Sequence, residues 1–403
     1  MMKRYIIVGN GVAGTAAAGG IRENDKDGKI DIFTDESVPN YTRIRLPDFI
    51  AGTVEEGDLI LHRESWYREK GIGLHLSEAI QEIDPDGHEV RSAKGNRYRY
   101  DRLLLATGGH SFIPPISGAD KEGVFALRSI ADARRIKEYA KRATEVIIIG
   151  GGLLGLEAGN GLRKAGLKVR VVEFFPRLLP RQMDIPGASL LKGQMESMGF
   201  SFFLGAKSKE MLGGSQVEGL ALEAGTSIAS DMVLISAGVR PNLELAQSLA
   251  LEIEKGVIVN DRMETGIASI YAAGDLVQHR GQFYGIWPAA ERQGEVAGIN
   301  MAGGEELYAG TVMSNRLKVV GIDLVSSGEI DVDGQFESLV KEDEKKYIYR
   351  KLVLRDGVII GCILLGDVRG SMEILHAIEE KKDVTPVKGE ILDADFDFKR
   401  LGG

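Results

Sequence analysis

Apolar residues fall along this chain in short, charge-free runs that end on glycine or just before it. Tyr5 to Val8, Leu103 to Ala106, Val146 to Ile149 and Met232 to Ile235 show no polar alternation. Such runs predict strands buried on both faces, as in a parallel sheet. Lys29 to Phe33 and Lys168 to Val172 predict further strands, each after a helix-like stretch (Thr15 to Ile21; Leu156 to Lys164). Residues 79–100 and 207–230 instead predict β-meanders. Their turn signals are Pro85-Asp86-Gly87, Lys94-Gly95-Asn96, Gly213-Gly214 and Ala224-Gly225-Thr226. Strand, helix, strand, meander and strand thus occur twice in one order, with Gly150 minus Gly9 giving an offset of 141 residues.

Past residue 242, Gly256-Val-Ile-Val-Asn260 and Ile270-Tyr-Ala-Ala-Gly274-Asp275 predict short strands. Trp287-Pro288 opens a helix through Met301, with Pro288 suited to the first helical position. From about residue 307 the pattern changes. Arg316 to Ser326, Lys346 to Leu354 and Val358 to Gly366 are strand-like, and a helix runs from about Met372 to Lys382. Three parts are expected: a discontinuous dinucleotide domain of residues 1–112 and 243–306, a second one of 113–242, and a small α+β domain of 307–403.

The glycines carry the candidate chemistry. Gly9, Gly11 and Gly14, with Val12 and Ala13 between, form G-x-G-x-x-G; Gly150, Gly152 and Gly155, with Leu153 and Leu154, form it again. The first glycine allows a tight turn, the second leaves room for a pyrophosphate, and the third lets helix pack on strand. The helix N-terminus then offers free N–H groups and a favourable dipole to phosphate. Glu173, at the end of the strand after the second motif, stands where an acid accepts from ribose hydroxyls. Gly274-Asp275 places a carboxylate at the carboxyl edge of a parallel sheet. A lone motif could be only a turn; two complete copies with Gly274-Asp275 favour nucleotide binding.

Composition narrows the classes. Charged residues make up 27 %, the formal net charge is −9 and the sequence pI is about 5.4, so no footprint for nucleic acid is present. Cys362 is the only cysteine, which excludes an internal disulfide or C-x-x-C pair; its apolar setting predicts a buried strand residue. The six histidines show no ligand spacing, so no metal site is expected. The apolar runs at the N-terminus and around 146–156 are too short for a signal peptide or a membrane span. A cytoplasmic protein with no membrane partner is expected, its acidic tail a solvated terminus.

With these motifs in order, the chain resembles the FAD-dependent pyridine nucleotide-disulfide reductase superfamily over essentially its full length. Within it the likeness is to NAD(P)H:rubredoxin oxidoreductases and the flavin region of NAD(P)H nitrite reductases. Besides the glycine motifs, the residues that carry it are Leu104-Leu-Ala106-Thr107-Gly108, Glu157, Ala237-Gly238-Val-Arg-Pro-Asn242, Ala273-Gly274-Asp275 and Trp287-Pro288-Ala-Ala. Tyr41-Thr-Arg43-Ile-Arg45-Leu-Pro47 and Ser314-Asn-Arg-Leu-Lys-Val319 narrow it to the branch. The resemblance implies an α/β fold of two Rossmann-like domains plus a C-terminal α+β domain.

The resemblance also assigns roles. FAD lies along the first motif and Ala106-Thr107-Gly108, with Asp275 on the ribitol and Asp35 or Glu36 near the adenosine ribose. Thr34, not an acid, occupies the position matching Glu173. Ile80 brackets adenine through its backbone, Arg128 is a further FAD contact, and Arg43, Arg45 and Pro47 lie near the isoalloxazine. At Trp287-Pro288 the helix N-terminus faces the flavin, the plainer alternative being a packing corner. NAD(H) takes the second motif, Glu173 and Gly238. Glu173 favours NADH over NADPH, a preference that Arg177 could soften. Glu157 is either a first-turn acid or reaches the nicotinamide–flavin junction, paired with Arg43 or Arg45, which read otherwise as surface charges. His110 receives no role.

Relatives that work through a flavin–thiol pair carry cysteines that this chain lacks. The expected function is therefore hydride transfer between NADH and FAD, with single electrons passing between FAD and a protein carrier such as rubredoxin. Two alternatives stand beside it: an NAD-reacting subunit of a larger oxidoreductase complex, possibly running toward NAD⁺ reduction, and an NADH oxidase using oxygen.

Overall fold

The computed structural model describes residues 2–311 and 314–402. They form two compact units, each assembled from separate stretches of chain.

The first unit comprises Met1–Arg43, Glu55–His110 and Val239–Thr311. Its parallel sheet runs in the order Ile270–Ala272, Arg102–Leu105, Arg4–Val8, Lys29–Phe33, Ile72–His75. Ile6, Ile7, Leu103 and Leu104 are all buried, which explains why these two strands lack polar alternation; Lys29–Phe33 does alternate, yet Asp31 is buried along with Ile30 and Ile32. Two differences from the sequence pattern stand out. Ile72–His75 joins the sheet although Gly71 and Gly73 interrupt its apolar run. Val257–Val259 lies outside that sheet and pairs with Val277–His279. Helix Val12–Asn24 packs tightly on helix Trp287–Ala302. A Cβ on Gly294 would lie 2.1 Å from the Ala13 carbonyl oxygen, and one on Gly298 2.2 Å from that of Ala17.

The second unit comprises Ile44–Val54, Ser111–Gly238 and Val312–Gly403. Its parallel sheet has the order Phe200–Leu204, Lys168–Glu173, Glu145–Ile149, Met232–Ile235, Val124–Ala126. Both β-meanders form, as Ile80–Asp84, Glu89–Ser92, Arg97–Arg99 in the first unit and Ser208–Leu212, Gly219–Leu222, Ser227–Ala229 in the second. The C-terminal region is a five-stranded antiparallel sheet ordered Ser314–Val319, Ile322–Gly328, Val358–Leu365, Ile348–Arg355, Glu337–Asp343. Helix Ser371–Glu379 covers it through Ile374 and Ala377, against Leu352 and Cys362. The run read as one strand-like stretch from Arg316 is thus a hairpin turning at Val320-Gly321. The side chains of Ser314 to Lys318 lie outside the described residues.

These boundaries divide the chain differently from the three parts expected. The C-terminal region belongs to the same unit as the second dinucleotide fold. Asp184, at the N-cap of helix Ile185–Ser197, accepts from Tyr349 (2.6 Å) and Lys351 (3.1 Å), and all three are buried. The segment Ile44–Val54, assigned by sequence to the first domain, also joins this unit. Its short helix Leu46–Ile50 packs so closely on helix Leu153–Lys164 that a Cβ on Gly161 would lie 2.5 Å from the Pro47 carbonyl oxygen.

Candidate functional site

Within each glycine motif the three positions meet different surroundings. Gly9 has φ +118°, and a Cβ there would lie 2.0 Å from the Ala106 carbonyl oxygen; Gly150 has φ +115° and would meet that of Ser236 at 2.2 Å. A Cβ on Gly14 or Gly155 would meet the carbonyl oxygen of Gly9 or Gly150, at 2.0 or 2.3 Å. Around Gly11 and Gly152 nothing lies within 4 Å of the Cβ position. These open glycines are the N-caps of helices Val12–Asn24 and Leu153–Lys164, and neither helix has a side-chain cap. By helix geometry the first N–H groups, those of Val12 and Ala13 or Leu153 and Leu154, have no carbonyl partner within the helix. Open space and donors together fit a pyrophosphate at each turn.

Strand register aligns the next positions. Val8 sits opposite Phe33 and Ile149 opposite Val172, so Thr34 and Glu173 are equivalent. The Thr34 hydroxyl accepts from the Glu36 N–H at 3.2 Å. Asp35 is exposed, whereas the Glu36 carboxylate pairs with Arg43. Arg43 also donates to the Tyr41 hydroxyl at 2.8 Å. Burial opposes the Arg43 charge, but Tyr41, Glu36 and Asp275 outweigh it and raise its pKa. The structure therefore gathers Glu36, Tyr41 and Arg43 at one place, within electrostatic reach of Asp275. The resemblance put Asp35 or Glu36 at the adenosine ribose and Arg43 at the isoalloxazine. One ion pair is too short to serve both ends of an extended dinucleotide, so Arg43 at the isoalloxazine is compatible with Asp35, the exposed alternative, at the ribose.

Other first-unit candidates are anchored by neighbours that the motifs did not flag. Gly274 (φ +83°) donates its N–H to the buried Gln293 amide oxygen at 3.0 Å. Asn10 accepts from Tyr67 at 2.9 Å, and its carbonyl accepts from Asn40 at 2.9 Å. Thr107 donates to the Asn242 carbonyl at 3.1 Å, and the Asn242 amide returns a bond to the Thr107 carbonyl at 2.8 Å. His110 Nδ1 lies 2.7 Å from Asn242 Oδ1. Ile80 is buried at the head of its strand, opposite Ser92. Trp287 is the first and Pro288 the second residue of their helix, whose N-cap Ile286 supplies no side-chain bond. Asn40 and Gln293 carry no spacing signal of their own, whereas Asn10 lies inside the first glycine motif and Asn242 ends the Ala237–Asn242 stretch.

In the second unit Glu173 is 6 % exposed and accepts from two backbone donors, Gly151 N–H and Phe175 N–H (2.8 Å). Each carboxylate oxygen carries two lone pairs, so acceptor capacity remains for ribose hydroxyls. Arg177 is engaged by carbonyls, donating to Met183 at 3.0 Å and Pro180 at 2.9 Å. Gly238 is exposed with φ +111°. Arg128 also lies in this unit, just before helix Ile130–Ala140, where its main-chain N–H donates to Asp132.

For Glu157 the expected arginine pairing is corrected. Its carboxylate accepts from the Val320 N–H at 2.6 Å. Arg43 already has Glu36, and Arg45, exposed, faces Asp48 at 3.5 Å. Burial and the Asp48 charge push the Glu157 carboxyl up, against the Val320 bond and Lys164. Pro47 is buried in the same short helix as Asp48. Among the described residues, no cluster of three His, Cys, Asp or Glu side chains could hold a metal ion, and no helix is long and apolar enough to cross a membrane.

Comparison with known proteins agrees with this geometry. Residues 3–294 match the pyridine nucleotide-disulphide oxidoreductase family, and residues 314–382 match the rubredoxin NAD⁺ reductase C-terminal domain. The nitrite reductase [NAD(P)H] of Bacillus subtilis is 37 % identical over 385 residues, covering 95 % of this chain and 48 % of that protein. The assimilatory nitrate reductase electron transfer subunit of the same organism is 33 % identical over 395 residues, with 98 % and 51 % covered. The chain thus spans about half the length of these two relatives. The NADH-rubredoxin oxidoreductase of Clostridium acetobutylicum is 30 % identical over 379 residues, covering 94 % of this chain and 95 % of that protein. Its crystal structure has a TM-score of 0.82 at 29 % identity, with 95 % and 96 % covered. The cofactors of the matched family are FAD and NAD(P)H. From residue 3 to residue 294 the family match takes in both glycine turns and the Gly274-Asp275 edge, and the chain belongs to the pyridine nucleotide-disulphide oxidoreductase family.

Proposed function

We propose that this chain is an FAD-dependent NADH oxidoreductase that exchanges single electrons with a protein carrier, an iron–sulfur protein of the rubredoxin kind. The observation that carries it is the pair of open second glycines, Gly11 and Gly152, each capping an otherwise uncapped helix. One dinucleotide turn would serve one ligand; two serve a resident FAD and an exchanging NADH. When bound, FAD supplies a hydride acceptor that can release its electrons one at a time, and the chain aligns donor and acceptor.

Val12 and Ala13 present N–H groups to the FAD pyrophosphate, and Leu153 and Leu154 do so for NADH. Asp275 stands at the carboxyl edge of the first sheet, its charge coupled to Arg43. Glu173 accepts from the NADH ribose, and its carboxylate would repel a 2′-phosphate, which supports NADH over NADPH. The one thiol, Cys362, is buried in a C-terminal strand, so no thiol relay carries electrons onward. A lone buried thiol also supports a cytoplasmic location.

A second reading has one specific support. The chain matches about half of a nitrite reductase and of a nitrate reductase electron transfer subunit, which favours an NAD-facing module of a larger oxidoreductase. Anaerobic mixing with NADH decides the core claim: the flavin absorbance should bleach within the dead time or shortly after. Fast reoxidation by rubredoxin and slow reoxidation by air are expected. Fast reoxidation by air alone would replace the carrier with oxygen, and a higher kcat/KM with NADPH would overturn the nucleotide preference.

A further inference from the structure

Glu157 lies in the second turn of helix Leu153–Lys164, the helix that opens on Gly152. What holds its carboxylate comes from the C-terminal region. The Val320 N–H donates to it at 2.6 Å. Val320 and Gly321 are the two loop residues between strands Ser314–Val319 and Ile322–Gly328, with Val319 opposite Ile322. Their φ values are +58° and +86°.

A two-residue hairpin loop with both φ values positive is a turn that asparagine, aspartate or glycine fills easily. A β-branched valine in its first position is an outlier. Strain of this kind persists where the surroundings over-determine it, and it gathers at functional sites. The surroundings here are unusual for a hairpin tip. Val320 is 4 % exposed and Val319 is buried, whereas two-residue tips normally face water. Glu157 itself is an acid held where burial and the nearby Asp48 both disfavour its charge. The main-chain bond from Val320 opposes them.

We infer that the Val320-Gly321 turn is a positioning element of the nicotinamide-nucleotide site, with the Val320 N–H fixing the Glu157 carboxylate on its helix. This rests on the proposal that helix Leu153–Lys164 takes NADH. It gives the C-terminal region a part in hydride transfer through a main-chain N–H of its hairpin turn. Val320 is a positioning residue: it acts through Glu157.

Two measurements on the FAD-loaded full chain test this. The first is hydrogen exchange at the Val320 amide. Glu157→Ala should speed it about tenfold, the loss of one charge-assisted bond, while Glu157→Gln, which keeps an acceptor, should stay near wild type. Equal exchange in all three overturns the inference. The second is stopped-flow reduction of the flavin by NADH. Inserting two glycines between Val320 and Gly321 should cut the limiting rate roughly tenfold with little change in the NADH dissociation constant. The insertion should cost nothing further in a Glu157→Ala background. Additive losses would make the turn a matter of folding alone. Val320→Gly keeps the N–H while removing the side chain, so its loss of rate should be much smaller than the insertion's. A loss as large as the insertion's would assign the effect to packing and overturn the inference. If wild-type flavin is not reduced by NADH, the proposed function falls. If it is reduced and Glu157→Ala reduces equally fast, the function stands and the inference falls.

Discussion

Gly150 and Gly152 stand two residues apart and answer to different demands. Gly150→Ala forces a side chain into a positive φ and onto the Ser236 carbonyl at 2.2 Å, so it should cost roughly 2–5 kcal/mol of stability. Gly152→Ala meets no protein atom within 4 Å; its melting should shift by less than about 1 kcal/mol, while KM for NADH rises roughly tenfold or more. Urea melts beside NADH kinetics would separate the two, and equal stability losses would contradict the assignment of space at Gly152 to ligand. Cys362 gives a second residue-scale test. Burial raises its thiol pKa to about 12, above the unfolded value of about 8.5. Its stabilising share is therefore complete below about pH 8.5 and lost as pH rises toward 12. The stability difference between wild type and Cys362→Ala should narrow between pH 8 and pH 10, and thiol reagents should label the folded protein slowly. A difference that widens with pH would refute the sign. The glycines and Cys362 were legible in sequence because backbone space and apolar neighbours are local properties. The Glu36–Arg43 and Glu157–Val320 contacts were not, because which partner a charge finds depends on chain segments brought together only by the fold.

At the scale of elements, the two Rossmann-like sheets could be read from charge-free runs that repeat at fixed offset, and the strand register bears this out. The C-terminal hairpin could not. Its turn is Val320-Gly321, and a valine where asparagine or aspartate is usual makes two strands read as one. Glu337–Asp343 was missed for a related reason: an edge strand with exposed Glu337, Lys341 and Glu342 lacks the apolar run of a buried one. The packing of helix Val12–Asn24 on Trp287–Ala302 yields a further prediction. Gly294→Ala or Gly298→Ala must push these helices apart, because the added methyl would lie 2.1 or 2.2 Å from a carbonyl oxygen. Each should cost about 1–3 kcal/mol, and each should lower the flavin-to-protein absorbance ratio after purification, since both helices open on residues proposed to hold FAD. Full flavin content in both variants would separate that packing from cofactor retention.

On the scale of the whole molecule, the C-terminal region is bound to the second dinucleotide fold by a buried charge cluster. Lys351 donates to Asp184 and to the carbonyls of Ile330 and Asp331, at 3.1, 2.9 and 3.0 Å. Lys351→Met leaves the Asp184 carboxylate buried with Tyr349 and Gly187 as its remaining donors, a loss expected to cost about 3–5 kcal/mol. Adding Asp184→Asn should recover part of it, and a double variant no better than the single would refute the pairing. Sequence composition gave three parts because it sees where pattern changes; it could not show that residues 44–54 and the C-terminal region share one unit, since that depends on helix Leu46–Ile50 meeting Gly161. The interleaving has a consequence for synthesis. The first unit needs Ile270–Ala272, within Val239–Thr311, to complete its sheet, so it cannot close until the ribosome has passed through the whole second dinucleotide fold. At roughly 5–20 residues per second, the strand Arg4–Val8 emerges tens of seconds before Ile270–Ala272 arrives to flank Arg102–Leu105. For that interval a nascent chain carries an open sheet edge whose Leu103, Leu104 and Leu105 are buried only once the fold is complete.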